Sequence, residues 1–180
     1  MQEFTNEPID VNQLPKFEEV PLTPPHQNYW KVIVINLVVF SLLLGAILLI
    51  LILSDEEVKA IWHFLIPAYA IFITLLFMLY RASFKKRGFA LRDKDILYKS
   101  GIIAETTTIV PLNRIQHIAL NEGIFSRIFK LGKLQIFTAG GQSGHLHIAG
   151  ISIDKARSMK EMLLKKIDQI ENLETPVDEL

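Results

Sequence analysis

The chain contains no cysteine. That excludes disulfides, cysteine-ligated zinc, thiolate nucleophiles and cysteine-held iron–sulfur clusters. It has no P-loop and no dinucleotide glycine fingerprint. Gly141-Gln142-Ser143-Gly144 resembles part of a nucleophile elbow, but His145 stands where the closing glycine is required, so a hairpin turn is the favoured reading. Net charge is also lacking, since 19 Lys and Arg balance 19 Asp and Glu. That zero is a sum of unlike parts. Residues 1–80 carry three basic against eight acidic side chains, and residues 81–180 carry sixteen against eleven, five of those eleven lying after Ile167. The folded part of the second half is therefore basic. Beside a bilayer, such a domain implies anionic headgroups before nucleic acid.

Charge is missing altogether from two long runs. Val32 to Leu53 is interrupted only by Asn36 and Ser41, and Ile61 to Tyr80 only by His63, Pro67 and Thr74. Each is about long enough to cross roughly 30 Å of hydrocarbon as a helix. A buried soluble helix is rarely apolar on every face for so long. A signal peptide followed by one anchor fits poorly, because a polar, proline-rich stretch precedes the first run. Transmembrane helices are therefore expected at 32–53 and 61–80. Residues 54–60, SDEEVKA, form a short acidic external loop, and Arg81, Lys85, Lys86 and Arg87 follow the second span. Lys/Arg excess marks the cytoplasmic side, so both termini are expected there, in a multi-pass protein of the cell membrane. Tyr29, Trp30, Trp62 and Tyr80 sit at the expected span ends, where amphipathic rings prefer to lie. Residues 1–31, with five prolines, read as mostly disordered or as extended chain leading into the first span; residues 172–180 read as an acidic tail.

From Gly88 the pattern changes to short β-like runs. Phe89–Arg92 and Ile96–Ile103 flank an Asp93-Lys94-Asp95 turn; Thr106–Leu112, Ile115–Leu120 and Lys133–Thr138 follow. Gly140-Gly141 opens a further turn, after which Leu146 and Ile148 alternate with His145 and His147. Asp154 is a plausible N-cap for a last helix, whose Ala156, Met159, Leu163, Ile167 and Ile170 share one face. Short strands closed by one amphipathic helix imply a small β-barrel or curled sheet with a helix across its opening, over residues 81–171.

Four blocks make the domain recognisable. They are Tyr98-Lys99-Ser100-Gly101-Ile102, then Val110-Pro111-Leu112-Asn113-Arg114-Ile115-Gln116-His117-Ile118, then Gly123-Ile124-Phe125-Ser126-Arg127-Ile128-Phe129-Lys130-Leu131-Gly132, and Leu134-Gln135-Ile136-Phe137-Thr138-Ala139-Gly140-Gly141. After a two-helix hairpin, this set resembles the bacterial membrane-flanked PH-like domains, specifically the YdbS-like proteins, over residues 30–170. The resemblance implies a bent antiparallel β-barrel capped by a C-terminal helix. It carries no established enzymatic activity and no cofactor. It also implies a kind of partner: a larger membrane protein with several such domains, or a second copy of the chain.

Several side chains invite a chemical role. His145 and His147 point the same way in a strand and could share a metal, but no third ligand is evident, and an exposed face is the preferred reading. His117 reads as a hydrogen-bonded structural histidine before a catalytic one, and His63 as interfacial before a proton relay. Arg114 can grip a carboxylate or phosphate with two prongs, or clamp its own loop; the structural role is preferred. In Asn121–Gly132, Phe125, Ile128 and Phe129 fall at helical spacing, with Arg127 and Lys130 off that stripe. That face either packs into the barrel, the commoner outcome, or dips into a membrane surface. Lys165 and Lys166 read as solvated. The expected function is a non-enzymatic interaction or assembly module at the membrane. Headgroup recognition through Arg114, Arg127, Lys85, Lys86 and Arg87 is the alternative, and a membrane-bound enzyme the third reading.

Overall fold

The computed structural model describes residues 17–102, 104–139 and 145–174. A 3-10 turn, Phe17–Glu19, precedes two long helices, α1 (Gln27–Ser54) and α3 (Trp62–Lys86), joined by a single helical turn, α2 (Glu56–Ala60). The acidic connector is thus structured. Asp55 Oδ1 accepts the Glu57 and Val58 N–H groups at 2.9 and 3.3 Å, capping α2. Both long helices continue past the apolar runs into the flanking polar sequence. Their exposed surface is apolar: Leu42, Leu43, Ile50, Leu53, Phe64, Ile71 and Met78 all point outward. Four polar side chains in the spans find partners within the spans, as a medium without water favours. Asn36 Nδ2 donates to the Val32 carbonyl and Thr74 Oγ1 to the Ala70 carbonyl. Tyr69 donates its hydroxyl to the Ser41 carbonyl at 2.7 Å and lies 2.7 Å from Ser41 Oγ, pinning α3 to α1.

The remainder is two three-stranded antiparallel sheets. The first contains β1 (Gly88–Leu91), β2 (Asp95–Ser100) and β3 (Thr106–Pro111); the second β4 (Ile115–Asn121), β5 (Leu131–Thr138) and β6 (Leu146–Ser152), with a short α4 (Ile124–Ile128) between β4 and β5. In both sheets the order follows the chain. The period-2 pattern read from Lys133–Thr138 is the pleat itself: Leu134, Ile136 and Thr138 are buried, with Lys133, Gln135 and Phe137 half-exposed on the other face.

α5 (Ile153–Glu174) closes the core between the sheets. Ile153, Ala156, Met159 and Leu163 are buried, and Ile167 packs on the same cluster. The helix starts one residue before Asp154, which therefore lies in its first turn instead of capping it. The side chain of Ile170 is outside the described part. Lys166 is not simply solvated: its Nζ reaches Asp93 Oδ1 at 2.8 Å, tying α5 to the β1–β2 turn and pulling the Asp93 carboxyl below its usual range.

Of residues 1–31, read as mostly disordered or as extended chain leading into the first span, the described part from Phe17 onward runs extended at Thr23. Thr23 and Phe89 form an antiparallel bridge, with Thr23 N–H donating to the Phe89 carbonyl at 2.7 Å and Phe89 N–H returning at 3.0 Å. His26 N–H donates to the Gly150 carbonyl at 2.8 Å. The prolines around Thr23 bar a helix, and an extended segment is what the edge of β1 can accept. Residues 1–16 are outside the described part, as is the Gly140–Gly144 stretch with its turn and partial elbow motif.

Candidate membrane-surface site at the hairpin exit

The domain starts where α3 stops, so the basic end of the helix and the first strands share one surface. Lys85 and Lys86 close α3, Arg87 follows, and β2 brings Lys99 alongside. With Leu22, Pro24, Gly88 and Glu105 they line an open crevice of about 340 Å³. Gly88 is required by proximity, because a Cβ there would stand 2.8 Å from Leu22 Cβ.

Glu105 organises this crevice. Its Oε1 lies 3.0 Å from Lys86 Nζ and its Oε2 2.7 Å from Lys99 Nζ. Lys86 Nζ also donates to the Ile102 carbonyl at 3.0 Å. Hydrogen bonds from Lys99 and then Lys86 hold the Glu105 carboxyl down to about 2. Arg87 Nε donates to the buried Ser83 hydroxyl at 3.2 Å, and burial pushes the neighbouring Tyr98 hydroxyl up while Arg87 opposes it. Of the four cations, Lys86 and Lys99 are thus engaged by one carboxylate. Among the described residues, Lys85 and the terminal nitrogens of Arg87 have no acidic partner in the crevice. Nothing in the sequence distinguished Glu105: it is an isolated acid after a Gly-Ile-Ile-Ala run, and no periodicity pairs it with Lys86 or Lys99.

The other basic residues singled out in the sequence lie elsewhere. Arg114 is on the 3-10 turn Leu112–Arg114, which packs under α5. Its carbonyl accepts the Ala139 N–H at 3.1 Å, so the backbone clamps the loop while the side chain is exposed. Arg127 is on α4, which lies against α1. Neither lines the crevice.

At the membrane end an aromatic collar joins α1 to α3. Trp30 meets Phe77 edge-on at 5.4 Å and Phe84 at 5.7 Å, with the Arg81 guanidinium 4.8 Å from the Trp30 ring. Tyr29 packs so closely on β6 that a Cβ at Gly150 would stand 2.6 Å from its ring. Gly150 also has φ +80°, a left-handed conformation that suits glycine.

The histidines occupy the outer face of the second sheet. His117 stacks on Phe137 at 4.1 Å, and Phe137 meets His145 at 4.9 Å. Desolvation, helped by Lys133 and His145, pushes His147 below the usual imidazole value. Among the described residues no three His, Asp or Glu gather as a metal set.

Two apolar helices leading directly into a two-sheet domain closed by a C-terminal helix define a membrane-anchored PH-like protein. The chain belongs to the bacterial PH domain family, whose model matches residues 31–167. It is similar to the UPF0699 transmembrane protein YdbT of Bacillus subtilis (strain 168), with 30% identity over 102 residues. That alignment covers 55% of this chain but 21% of the relative, so the chain spans about a fifth of the relative's length. No solved structure matches the chain. The resemblance read from the four sequence blocks, and the fold it implied, hold.

Proposed function

We propose that this chain is a non-catalytic, two-pass protein of the cell membrane with both ends in the cytoplasm. Its PH domain serves as an assembly module for another membrane protein carrying such domains, or for a second copy. The observation that carries this reading is the seating of the domain on its own hairpin, through Thr23–Phe89, His26–Gly150 and the Tyr29 ring against Gly150. A headgroup sensor gains from reach and reorientation, whereas a fixed platform suits a partner in the same plane. The outer edge of β3 is unpaired among the described residues and offers backbone groups for strand addition. In the B. subtilis relative the matched stretch is one part of a much longer chain, which supports use as a unit of a larger membrane assembly.

The crevice supports a second reading, anionic-lipid attraction. Each basic side chain near an anionic leaflet contributes on the order of 1 kcal/mol, decaying over roughly a Debye length. Glu105 already neutralises part of that field, so a tether fits better than a specific pocket.

A photo-crosslinking amino acid in place of Thr106, at the exposed start of β3, tests the module in intact cells. Capture of a PH-domain membrane protein or of a second copy is expected, and adducts to lipid alone would overturn it. A reporter active only outside the cytoplasm, fused after Leu180, is expected to be silent; activity would overturn the orientation.

A further inference from the structure

We propose that α4 is an interfacial anchor that inserts Ile124 and Ile128 at the boundary between headgroups and hydrocarbon. These residues are four apart and share a face of the helix. They are 82% and 69% exposed, and Ile124 is more exposed than Leu53, the barest large apolar side chain of the two spans at 73%. Such exposure on a PH-domain surface calls for a cover.

The placement of α4 identifies that cover. The helix packs against α1, and Lys31 Nζ stands 5.8 Å from the centre of the Phe129 ring just beyond it. Lys31 is the last charged residue before the apolar run, and Val32 and Ile33 next to it are buried. α4 therefore sits at the level where the span enters hydrocarbon. Its inner side is fixed: Phe125 and Phe129 are half-buried, and Lys130, in a left-handed turn at φ 53°, accepts the Ile153 N–H at 2.9 Å. The outward isoleucines continue the lipid-facing surface of α1, and exposed Arg127 between them reaches phosphate level. The aromatic stripe expected from the sequence thus faces partly inward, and the isoleucines take the outward position.

The inference rests on the membrane-surface seating proposed above, and one experiment separates the two. Because the natural chain has no cysteine, Ile124→Cys, Ile128→Cys, Leu49→Cys and Lys165→Cys each give a unique spin-labelling site in the full chain. The labelled proteins are reconstituted in phosphatidylcholine/phosphatidylglycerol vesicles. Collisions with oxygen, which partitions into lipid, are compared with those of a water-soluble nickel chelate. Position 49 should favour oxygen and position 165 the chelate. Positions 124 and 128 should favour oxygen severalfold over position 165. If position 49 favours oxygen while 124 and 128 behave like 165, the anchor is wrong and the membrane reading stands. Protection of 124 and 128 from both reagents would mean a protein cover and would also overturn the anchor. Chelate access at position 49 would overturn both readings.

Discussion

Gly150→Ala is the most informative single substitution, because two costs meet at one atom. The backbone there has φ +80°, and a side chain in that region costs about 1–2 kcal/mol. The new Cβ would also stand 2.6 Å from Tyr29 Cγ and Cδ1 and 2.9 Å from Tyr29 Cβ. Relieving such overpacking typically costs about 1–3 kcal/mol. The sum, on the order of 2–5 kcal/mol, is large beside the margin of a small domain. The steric part belongs to a pair, so a double-mutant cycle isolates it. Tyr29→Ala removes the two ring contacts and leaves the backbone cost in place. Thermal unfolding of the full chain in detergent, followed by near-ultraviolet circular dichroism, should show a marked drop for Gly150→Ala. The penalty should be smaller by about 1 kcal/mol or more in the Tyr29→Ala background. Equal penalties in both backgrounds would refute the close seating of α1 on β6. No penalty in either would refute the left-handed backbone as well.

Two further expectations concern Glu105 and Gly101. Because its folded-state pKa is held near 2 against an ordinary 4.5, Glu105 contributes its full stabilisation above about pH 4.5 and loses it as the pH falls towards 2. Glu105→Gln should therefore lower the melting temperature at pH 7, and the gap to the natural chain should close on acidification; a gap independent of pH would contradict the pairing. Gly101→Ala should destabilise by about 2 kcal/mol or more, since φ is +125° and the Cβ would run into the Ala104 carbonyl oxygen. An unchanged denaturation midpoint would exclude that turn geometry.

The hairpin and the strands were legible because each rests on a local signal. Uncharged length marks α1 and α3, and alternation at Lys133–Thr138 marks the two faces of β5, whose first two residues it misses. The spacing of Ala156, Met159 and Leu163 similarly fixes the buried face of α5. What escaped reading depends on distant parts meeting. Thr23 lies in a proline-rich stretch with no period of its own, and only the free edge of β1 gives it a partner. Glu105 acquires its role from Lys86 and Lys99, which the fold brings to it. The short α4 presented a further ambiguity: over five residues, Phe125, Ile128 and Phe129 make as good a stripe as Ile124 and Ile128. Contact with α1 and β5 decides which side turns inward.

The Thr23–Phe89 bridge has a mechanical consequence. It lies just before α1 begins and just after α3 ends, so the hairpin and the bridge together form a closed ring. Sliding one helix past the other by a turn, about 5.4 Å, would break both hydrogen bonds at once. Axial slip is thereby barred, and tilting of the pair as one body remains. A load applied to the domain reaches both helices together, so the hairpin answers as a single lever.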